Sequence, residues 1–478
     1  MAISQDAEMN ALRVGFAIHE QEHVFDHWAE LGEPERSVLL RQARRIGASL
    51  DEFVDAHRRA LAELEAGLEP ASIQPPETVC LPEHGGDTQR LESARERGLE
   101  LLTAGRVAAL VVAGGQGTRL GYPGPKGAFP VGPVSDRSLF RLQAQKIRGL
   151  ARRTSRSIPW YVMTSPATDA ATRALFEAED NFGLAAEDVR IFSQGMLPAW
   201  DFEGRLILEA PGRIAESPNG HGGSLTALAE AGILEDMRKR GIDRLFYYQV
   251  DNPLVRMADP VFLGLHEAAE AEMSCKVVRK QDPMEKVGVV AEIAGEPAVI
   301  EYTELSEELR YAQDARGQLL YWAGNIAIHI FNLDFLHRIA EESTTLLPVH
   351  ASAKRIESVN SAAEGRASRD PNGYKLERFV FDALPQAART CVMEVRASEE
   401  FSPIKNAEGK ESPDSSRAAL IACYRNWLRG VQIPTSGEAP FIEIDHSIID
   451  SEEEAISTGI TGLADAGKAI LVSTGISP

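Results

Sequence analysis

Short apolar runs alternate with longer amphipathic segments over the middle of the chain, and this alternation limits the fold more than any other feature. The runs have the length of buried strands, and the segments between several of them carry apolar residues at helical spacing. Because strands that alternate with helices pair in parallel, the pattern predicts an α/β fold with helices on both faces of a mixed, mostly parallel sheet. The predicted strands are 107–113, 160–164, 189–192, 244–250, 275–278, 288–292 and 326–331, and the predicted helices are 138–150, 168–176 and 224–240.

The two ends of the chain differ from this middle region. Residues 7–66 have helical spacing, and one helix is predicted from Glu20 because apolar residues between Val24 and Leu31 recur every three or four positions. Residues 69–88 are rich in proline and contain Gly85-Gly86, which indicates an extended linker across the surface.

Beyond about residue 407 the chain contains one predicted helix, at 415–427, and two short strand-like runs. We therefore expect three domains. These are a helical N-terminal subdomain with its linker at 1–104, a catalytic domain at 105–406 and a small C-terminal domain at 407–478.

The first strand of the alternation leads directly into a glycine-rich string. Residues 110–113 are Leu-Val-Val-Ala, and 114–121 are Gly-Gly-Gln-Gly-Thr-Arg-Leu-Gly. Glycines at a strand end let backbone amides approach a phosphate, and Arg119 and Lys126 add cationic donors. No Lys-Ser or Lys-Thr follows at P-loop spacing, and Leu120 stands where the dinucleotide motif needs its third glycine. The string therefore predicts a phosphate site of another kind.

Composition restricts what the chain can bind. It has 478 residues and a formal net charge of −21. Such a field repels nucleic acid, so any phosphate site must be local, built from backbone amides, a few cations and a divalent metal. The four cysteines lack the spacing of a zinc site or a disulfide framework. No apolar run reaches the length of a membrane span, and no secretory signal is evident, so we expect a cytoplasmic protein.

The string A-G-G-Q-G-T-R-L-G, followed closely by P-K-G, resembles the nucleotide-binding loop of eukaryotic-type UDP-sugar pyrophosphorylases, most of all their UDP-N-acetylglucosamine branch. The resemblance continues in order along most of the chain. It implies a Rossmann-like nucleotidyltransferase core flanked by smaller N- and C-terminal domains. The other matching segments are 21–25, 193–199, 217–223, 250–254, 283–290, 301–304, 324–327, 375–382 and 400–406.

The resemblance also implies roles for individual residues. The catalytic cations are Arg119, Lys126 and Lys405. Asp251, at the end of an apolar run, is the ligand of Mg²⁺ or Mn²⁺. The nucleotide-binding residues are Val112, Ala113, Gly114, Gly115, Lys126, Gln194, Gly220, Asp251 and Lys375. The sugar-binding residues are His221, Gly288, Glu301, Tyr302, Asn325, Phe379, Phe381 and Lys405.

The chemistry implied is attack of a sugar 1-phosphate oxygen on the α-phosphorus of UTP, with pyrophosphate leaving. A phosphate monoester is already anionic near neutral pH, so the site needs countercharge and positioning rather than a general base. Gln194 has a planar amide suited to reading uracil, and Lys405 is assigned to the sugar phosphate. UTP and a sugar 1-phosphate are thus the expected partners, without nucleic acid or membrane, and a monomer is favoured.

The identity of the sugar depends on His221. The N-acetylhexosamine branch usually has Asn at this place, whereas the glucose and broad-sugar branches have His, usually followed by Gly-Asp rather than Gly222-Gly223. We expect N-acetylglucosamine 1-phosphate, with glucose or another sugar 1-phosphate as the alternative.

A glycosyltransferase is disfavoured because Asp251-Asn252-Pro253 lacks a second Asp. A non-catalytic UDP-sugar sensor is disfavoured because Arg119, Lys126, Asp251 and Lys405 are all present.

Overall fold

A computed structural model describes residues 4–66, 73–342, 347–359, 370–428, 441–458, 463–465 and 469–472. The helices are α1 Gln5–Ala17, α2 Glu33–Gly47, α3 Leu50–Ala66, α4 Thr88–Thr103, α5 Leu139–Thr154, α6 Asp169–Ala178, α7 Gly223–Glu230, α8 Ile233–Arg240, α9 Pro260–Ala268, α10 Glu307–Tyr311, α11 Leu333–Glu341, α12 Ala397–Glu400, α13 Pro413–Leu428 and α14 Glu452–Thr458. Short 3-10 helices are Glu22–Phe25, Trp28–Glu30, Pro82–His84, Thr118–Leu120, Lys126–Ala128, Asp180–Gly183, Ala186–Asp188 and Val380–Gln386.

The strands confirm the predicted alternation in the middle of the chain. They are β1 Ile73–Gln74, β2 Thr78–Val79, β3 Val107–Val112, β4 Trp160–Thr164, β5 Val189–Ser193, β6 Met196–Pro198, β7 Trp200–Asp201, β8 Leu208–Ala210, β9 Arg213–Ile214, β10 Glu216–Pro218, β11 Arg244–Gln249, β12 Met273–Arg279, β13 Val289–Ile293, β14 Glu296–Ile300, β15 Ala323–Asn332, β16 His350–Lys354, β17 Gly373–Glu377, β18 Thr390–Val395, β19 Phe441–Ile444, β20 Leu463–Asp465 and β21 Ala469–Val472.

The chain forms two compact units. The first unit comprises the described residues within 1–68, 194–226 and 342–382, and the second comprises those within 69–193, 227–341 and 383–478. Both units draw on segments distant in sequence, whereas the three domains expected from the sequence are contiguous. Those domain boundaries stay a prediction.

The second unit contains the large sheet, with strand order β2-β18-β12-β15-β11-β3-β4-β5. Neighbouring strands are parallel except where β15 pairs antiparallel with both β12 and β11. Along this order the sheet is mixed and mostly parallel, as predicted. The strands β1, β13 and β14, which join it through the β13–β15 pair, add antiparallel pairs only. The central strands β3, β4, β11 and β12 are buried on both faces. The side chains on one of these faces share a core with α5 and α9. A separate small sheet, β19-β21-β20, lies near the C-terminus.

The first unit packs α1, α2 and α3 with small sheets. These sheets are β16-β17-β7, β6-β10 and β8-β9. The core joins apolar residues of the helices, such as Phe16 and Leu39, to Trp200 and Leu376 of the strands. This core explains why the N-terminal helices carry one apolar face each.

The helix predicted from Glu20 is wrong. The structure has two 3-10 turns there, although Val24 is buried, as its spacing indicated. The cause is a set of tertiary bonds to the backbone. Gln21 donates to the Gly204 carbonyl oxygen at 3.0 Å and accepts from the Leu206 N–H at 2.8 Å, and Glu20 adopts a φ of 60°.

Two further predictions need correction. The helix predicted over 224–240 is broken into α7 and α8 because Gly232 adopts a left-handed φ of 64°. The predicted linker 69–88 contains β1, which pairs with β13, and β2, which pairs with β18. Residues 69–72 lie outside the described residues. The described part of this segment therefore extends the sheet.

Candidate active site

The large sheet has a topological switch point between β3 and β11. From β3 the chain moves outward through β4 to β5, and it returns to the other side of β3 as β11, in register from Arg244↔Val107 to Gln249↔Val112. Open α/β sheets bind ligands where the strand order reverses, outside the carboxyl ends of the strands. The glycine-rich string follows β3, and Asp251 lies two residues after β11.

The segment Gly114–Lys126, named the phosphate loop here, folds back on itself as a tight hairpin. The N–H of Gly117 donates to the Gly124 carbonyl oxygen at 2.8 Å, and the N–H of Lys126 donates to the Gly115 carbonyl oxygen at 3.0 Å. Ser165, after β4, donates its hydroxyl to the Gly114 carbonyl oxygen at 2.7 Å. The loop is therefore anchored to the sheet at its start and closed across its middle.

The backbone of the phosphate loop is accessible at Gly115. A Cβ on Gly115 would have Lys126 Cε, at 3.8 Å, as its nearest neighbour. Gly121 adopts a φ of +67° and has no neighbouring atom within 4 Å of its Cβ position. Val112 and Ala113 end the strand and lead into this open backbone, with Ala113 N–H bonded to the Met163 carbonyl oxygen. The geometry suits a ligand that contacts main-chain amides.

Lys126 and Asp251 meet at the switch point. The Lys126 Nζ lies 3.2 Å from Asp251 Oδ2, and the two side chains are 20% and 11% exposed. Arg119 is exposed at the outer end of the loop, and within the described part of the chain it forms no ion pair or hydrogen bond. The loop thus presents one cation beside a carboxylate and one cation toward solvent.

Lys405 is tied to the same edge of the sheet. The N–H of Ile404, the preceding residue, donates to the Asp251 carbonyl oxygen at 2.9 Å. The Lys405 Nζ is 3.4 Å from Glu411 Oε1, in a pair that is 41% and 36% exposed. The structure therefore brings the segment of Lys405 against Asp251, as the predicted site requires.

Three predicted sugar-side residues of the second unit also meet. Asn325 lies near the start of β15, and because β15 is antiparallel to β11 it lies at the edge where β11 ends. Its N–H donates to the Gly288 carbonyl oxygen at 2.8 Å, and its Oδ1 accepts from the Ala327 N–H at 3.1 Å, which orients the amide. A Cβ on Gly288 would lie 2.9 Å from Glu301 Oε1. Tyr302 is 37% exposed.

The segment Asn219–Gly223, named the glycine turn here, lies in the first unit against Arg378 and Phe379. Gly220 has a φ of +65°, and a Cβ there would overlap the Arg378 carbonyl oxygen; at Gly222 it would lie 2.7 Å from the Phe379 backbone. The prediction assigned Gly220 to close approach of a base. The structure gives these glycines another reason, since the neighbouring backbone leaves no room for a side chain.

His221, inside the glycine turn, belongs to an aromatic cluster. Its ring is stacked on Phe379 at 5.3 Å between centroids and tilted against Phe381 at 5.4 Å. Its Nδ1 accepts the N–H of Val380 at 3.0 Å. Burial lowers the pKa of His221 to about 4. The imidazole is therefore neutral at physiological pH, and its Nε2 carries the remaining proton as a donor.

Gln194 and Lys375 complete the predicted set in the first unit. Gln194 is 7% exposed and follows β5, and the next residue, Gly195, accepts the N–H of Asn219 at 3.2 Å. Lys375 lies on β17 and is partly buried. In the first unit, Gln194 thus lies next to the glycine turn. The glycine turn also contacts the residues that follow β17.

Sequence reasoning missed several residues that support these groups. His350 stacks on Phe379 at 4.5 Å, and its Nε2 lies 2.9 Å from Asp382 Oδ2. Arg378 is 8% exposed and donates to Asn219 Oδ1 at 3.2 Å. No motif singles out His350, which lies far along the chain from its partners. Arg378 lay inside a matching segment, and only its neighbours could have indicated its role.

Among the described residues, no group of three or more His, Cys, Asp or Glu side chains could hold a metal ion. Asp251 alone is nevertheless a sufficient protein ligand for Mg²⁺ at a phosphate site, because that ion usually takes one or two carboxylates and completes its shell with phosphate oxygens and water. The donor set fits a metal that arrives with the nucleotide. No helix in the described part of the chain is long and apolar enough to cross a membrane.

Comparison with known proteins gives consistent matches over most of the chain. The profile of the family described as UTP–glucose-1-phosphate uridylyltransferase matches residues 50–420. UDP-N-acetylhexosamine pyrophosphorylase-like protein 1 of Homo sapiens is 39% identical over 446 residues, which cover 89% of this chain and 86% of the human protein. UDP-N-acetylglucosamine pyrophosphorylase of Saccharomyces cerevisiae is 36% identical over 427 residues, covering 85% and 88%.

A solved structure matches almost the whole chain. It is the uridine diphosphate N-acetylglucosamine pyrophosphorylase of Trypanosoma brucei in complex with an inhibitor. The TM-score is 0.83 at 26% sequence identity, and the match covers 99% of each chain.

Proposed function

The chain belongs to the UTP–glucose-1-phosphate uridylyltransferase family, and from that premise we propose that it makes UDP-N-acetylglucosamine and pyrophosphate from UTP and N-acetylglucosamine 1-phosphate. One observation carries the proposal. The phosphate loop, with Lys126, meets Asp251 at the switch point of the sheet, and the segment of Lys405 is hydrogen-bonded to that same Asp251. Two cations and one carboxylate at this edge suit a reaction between two phosphorylated substrates.

In the proposed reaction the phosphate loop holds the triphosphate of UTP through main-chain amides. Lys126 and Arg119 supply positive charge where pyrophosphate leaves, and Lys405 binds the phosphate of the incoming sugar. The oxygen of that phosphate forms a bond to the α-phosphorus while the bond from the α-phosphorus to the bridging oxygen breaks. The electron pair leaves with pyrophosphate. Since the attacking oxygen is already anionic, orientation and countercharge account for the acceleration.

Asp251 is the proposed ligand of Mg²⁺ or Mn²⁺. A divalent ion would supply charge neutralisation between the phosphate groups. Asp251 pairs with Lys126 at 3.2 Å. The Lys126 ammonium supplies the countercharge that this largely buried carboxylate requires.

The first unit supplies the proposed recognition of the base and part of the sugar. Gln194 would bind uracil with its amide, Gly220 would lie beside the base, and Lys375 would approach the nucleotide phosphates. Within the described part of the chain Lys375 has no anionic side chain as a partner, which is consistent with an anionic ligand. His221, Phe379 and Phe381 are the proposed sugar-binding residues of the first unit, and Glu301 and Asn325 are polar ones of the second.

The choice of sugar rests on the relatives, whose names specify N-acetylglucosamine or N-acetylhexosamine. His221 is the observation that keeps glucose 1-phosphate as an alternative. Because its imidazole is neutral and held by the Val380 N–H, it offers one fixed donor and an aromatic face. Such a group can border either a hydroxyl or an acetamido group at C2.

A pyrophosphate-release assay tests the proposal. The protein is given UTP and Mg²⁺ with the 1-phosphates of N-acetylglucosamine, N-acetylgalactosamine, glucose or galactose. We expect release with N-acetylglucosamine 1-phosphate and a smaller kcat/KM with the unacetylated sugars. A preference for glucose 1-phosphate would establish the alternative, and no release with any sugar would refute both.

We also propose a cytoplasmic location and a monomer. The four cysteines, Cys80, Cys275, Cys391 and Cys423, are free thiols, as expected for a reducing compartment. Burial raises the pKa of Cys391 to about 11 and that of Cys423 to about 12, so these two thiols are unreactive. Light scattering and fractionation would test the two statements.

A further inference from the structure

Asn252 follows the proposed metal ligand and has no assigned role. It is 4% exposed, and both ends of its amide are used. Its Nδ2 donates to the Glu400 carbonyl oxygen at 2.7 Å, and its Oδ1 accepts the N–H of Ser402 at 3.1 Å and of Leu254 at 3.2 Å. The Asn252 side chain thus forms hydrogen bonds with the backbone of Glu400 and of Ser402, two residues of a segment distant in sequence.

That segment, Glu400–Lys405, is named the lysine segment here. It leaves α12 and passes the Asp251-Asn252 pair. The N–H of Ile404 bonds to the Asp251 carbonyl oxygen at 2.9 Å, which makes a third attachment after the two from Asn252. Lys405 is the residue directly after the last attachment. Its backbone position is therefore set relative to Asp251.

Two further contacts hold the lysine segment from behind. The carboxylate of Glu400 binds the Nζ of Lys276 at 2.6 Å, and Lys276 also binds Asp259 at 2.7 Å. All three side chains are buried. Ser416 of α13 donates its hydroxyl to the Ser402 carbonyl oxygen at 2.7 Å. The segment cannot slide along Asp251 without breaking several buried polar contacts, each of which is costly to lose.

We propose that Asn252 is a positioning residue that fixes the distance between the proposed metal ligand Asp251 and the sugar-phosphate cation Lys405. The proposal rests on the proposed function. An amide is the side chain that can donate to the Glu400 carbonyl and accept from the Ser402 N–H at once. An aspartate would set a carboxylate oxygen against the Glu400 carbonyl, and alanine would leave both backbone groups without partners.

The kinetic test is a double-mutant cycle between Asn252 and Lys405. We expect Asn252→Ala to raise the KM for the sugar 1-phosphate about tenfold, the loss expected for displaced hydrogen-bonded geometry, while the KM for UTP changes less than about threefold. In the Lys405→Ala background the same substitution should add little, because Asn252 acts through Lys405. The proposal would be overturned if the two substitutions raised the KM for the sugar 1-phosphate by independent factors. It would also be overturned if Asn252→Ala raised the KM for UTP more than the KM for the sugar 1-phosphate.

Two variants serve as comparisons. Asn332→Ala removes a similar amide, which bonds to Ala271 and His266 near the other end of β15, and it should lower thermal stability without changing either KM. Ser416→Ala removes one contact behind the lysine segment and should raise the KM for the sugar 1-phosphate by less than Asn252→Ala does. An equal KM change in Asn332→Ala would show a purely structural effect and contradict the proposal.

Hydrogen exchange gives a readout that needs no turnover. The amides of Ser402 and Ile404 should exchange at least about tenfold faster in Asn252→Ala than in the wild type, while those of β3 stay protected. Unchanged exchange in the lysine segment would refute the positioning role even if kinetics changed. A wild type without pyrophosphate release would refute the proposed function, and the exchange result would still decide whether Asn252 holds this segment.

Discussion

The phosphate loop and the glycine turn are both rich in glycine, yet an added side chain would meet different surroundings at Gly115 than at Gly220 or Gly222. Gly117 of the phosphate loop is not open, since a Cβ there would lie 2.9 Å from Tyr122. In the phosphate loop a Cβ on Gly115 has Lys126 Cε, 3.8 Å away, as its nearest neighbour. In the glycine turn a Cβ on Gly220 would overlap the Arg378 carbonyl oxygen, and one on Gly222 would lie 2.7 Å from backbone atoms. Both segments match the same family pattern.

We therefore distinguish two uses of glycine. In the chemical use the backbone stays open to a ligand, and in the packing use the neighbouring backbone leaves no room for a side chain. Gly115 leaves main-chain amides open to a ligand, so its substitution should affect binding before stability. Gly220 and Gly222 let the glycine turn lie against the end of β17, so their substitution should affect stability before chemistry. His221 lies between these two glycines, and its position depends on them.

The largest effect is expected for Lys126→Ala, which removes the phosphate-loop cation that lies beside Asp251. We expect kcat/KM to fall by about 10² to 10³, as for loss of a donor aimed at developing charge. With UTP and Mg²⁺ present, thermal stability should change little, because the metal then supplies a positive charge beside Asp251. Steady-state kinetics against Lys239→Ala, an exposed lysine at the end of α8, is the measurement, and a change within about threefold would remove Lys126 from the catalytic set.

Gly220→Ala tests the packing use. The left-handed φ of +65° and the overlap with Arg378 should together lower the free energy of unfolding by roughly 2–4 kcal/mol. The matched control is Gly241→Ala, at a φ of +74° with no atom within 4 Å, which should cost about 1 kcal/mol. Chemical denaturation measures both, and equal losses would mean that the neighbouring backbone has no part.

Gly115→Ala tests the opposite use in the phosphate loop. The open space predicts a change in unfolding free energy below about 1 kcal/mol and a rise of about tenfold in the KM for UTP, because a methyl group would cover the amides. Isothermal titration with UTP and a melting curve suffice. A destabilised protein with normal UTP affinity would reverse the comparison between the two segments.

His221→Asn should have a smaller effect, confined to sugar preference. Asparagine is shorter, so it loses the stacking on Phe379 and opens space next to the sugar. We expect the ratio of kcat/KM for N-acetylglucosamine 1-phosphate to that for glucose 1-phosphate to rise by about threefold. A competition assay with both sugars measures it, and an unchanged ratio would exclude His221 from sugar selection.

The pH dependence of His221 is expected in stability and not in turnover. Burial lowers its pKa from 6.5 to about 4, so between these values the unfolded chain binds a proton that the folded protein does not. Its contribution to stability is thus fully present above pH 6.5 and is lost as the pH falls towards 4. The stability of His221→Asn should fall less steeply over this interval in parallel denaturation curves. Identical slopes would show that His221 does not titrate there.

Much of the fold followed from periodicity and from strand ends. Strand β4 has the predicted bounds, and Asp251 lies just past β11 as expected. Long, buried parallel strands leave a strong apolar signal, which explains this success. The grouping of Lys126, Asp251 and Lys405 could also be anticipated, because each lies in a segment that matches the family pattern.

The failures share a cause, which is that tertiary contacts overrode local spacing. The side-chain amide of Gln21 fixes the turns near Val24 through bonds to residues far along the chain, and no local pattern records them. Gly232 breaks a helix that its neighbours favour. His350 stacks on Phe379, and Asn252 hydrogen-bonds to the segment that leads to Lys405. Only the folded chain shows these contacts.

In the proposed reaction the phosphate loop and Asp251 serve attack on the α-phosphorus of UTP. Label tracing with UTP carrying ³²P at the α or the γ position tests it most directly, in the presence of Mg²⁺ and N-acetylglucosamine 1-phosphate. We predict that the α label appears in a UDP-sugar and the γ label in pyrophosphate, and that Lys126→Ala slows both equally. Transfer of the γ label to the sugar phosphate, or release of the α label without a sugar, would contradict the account.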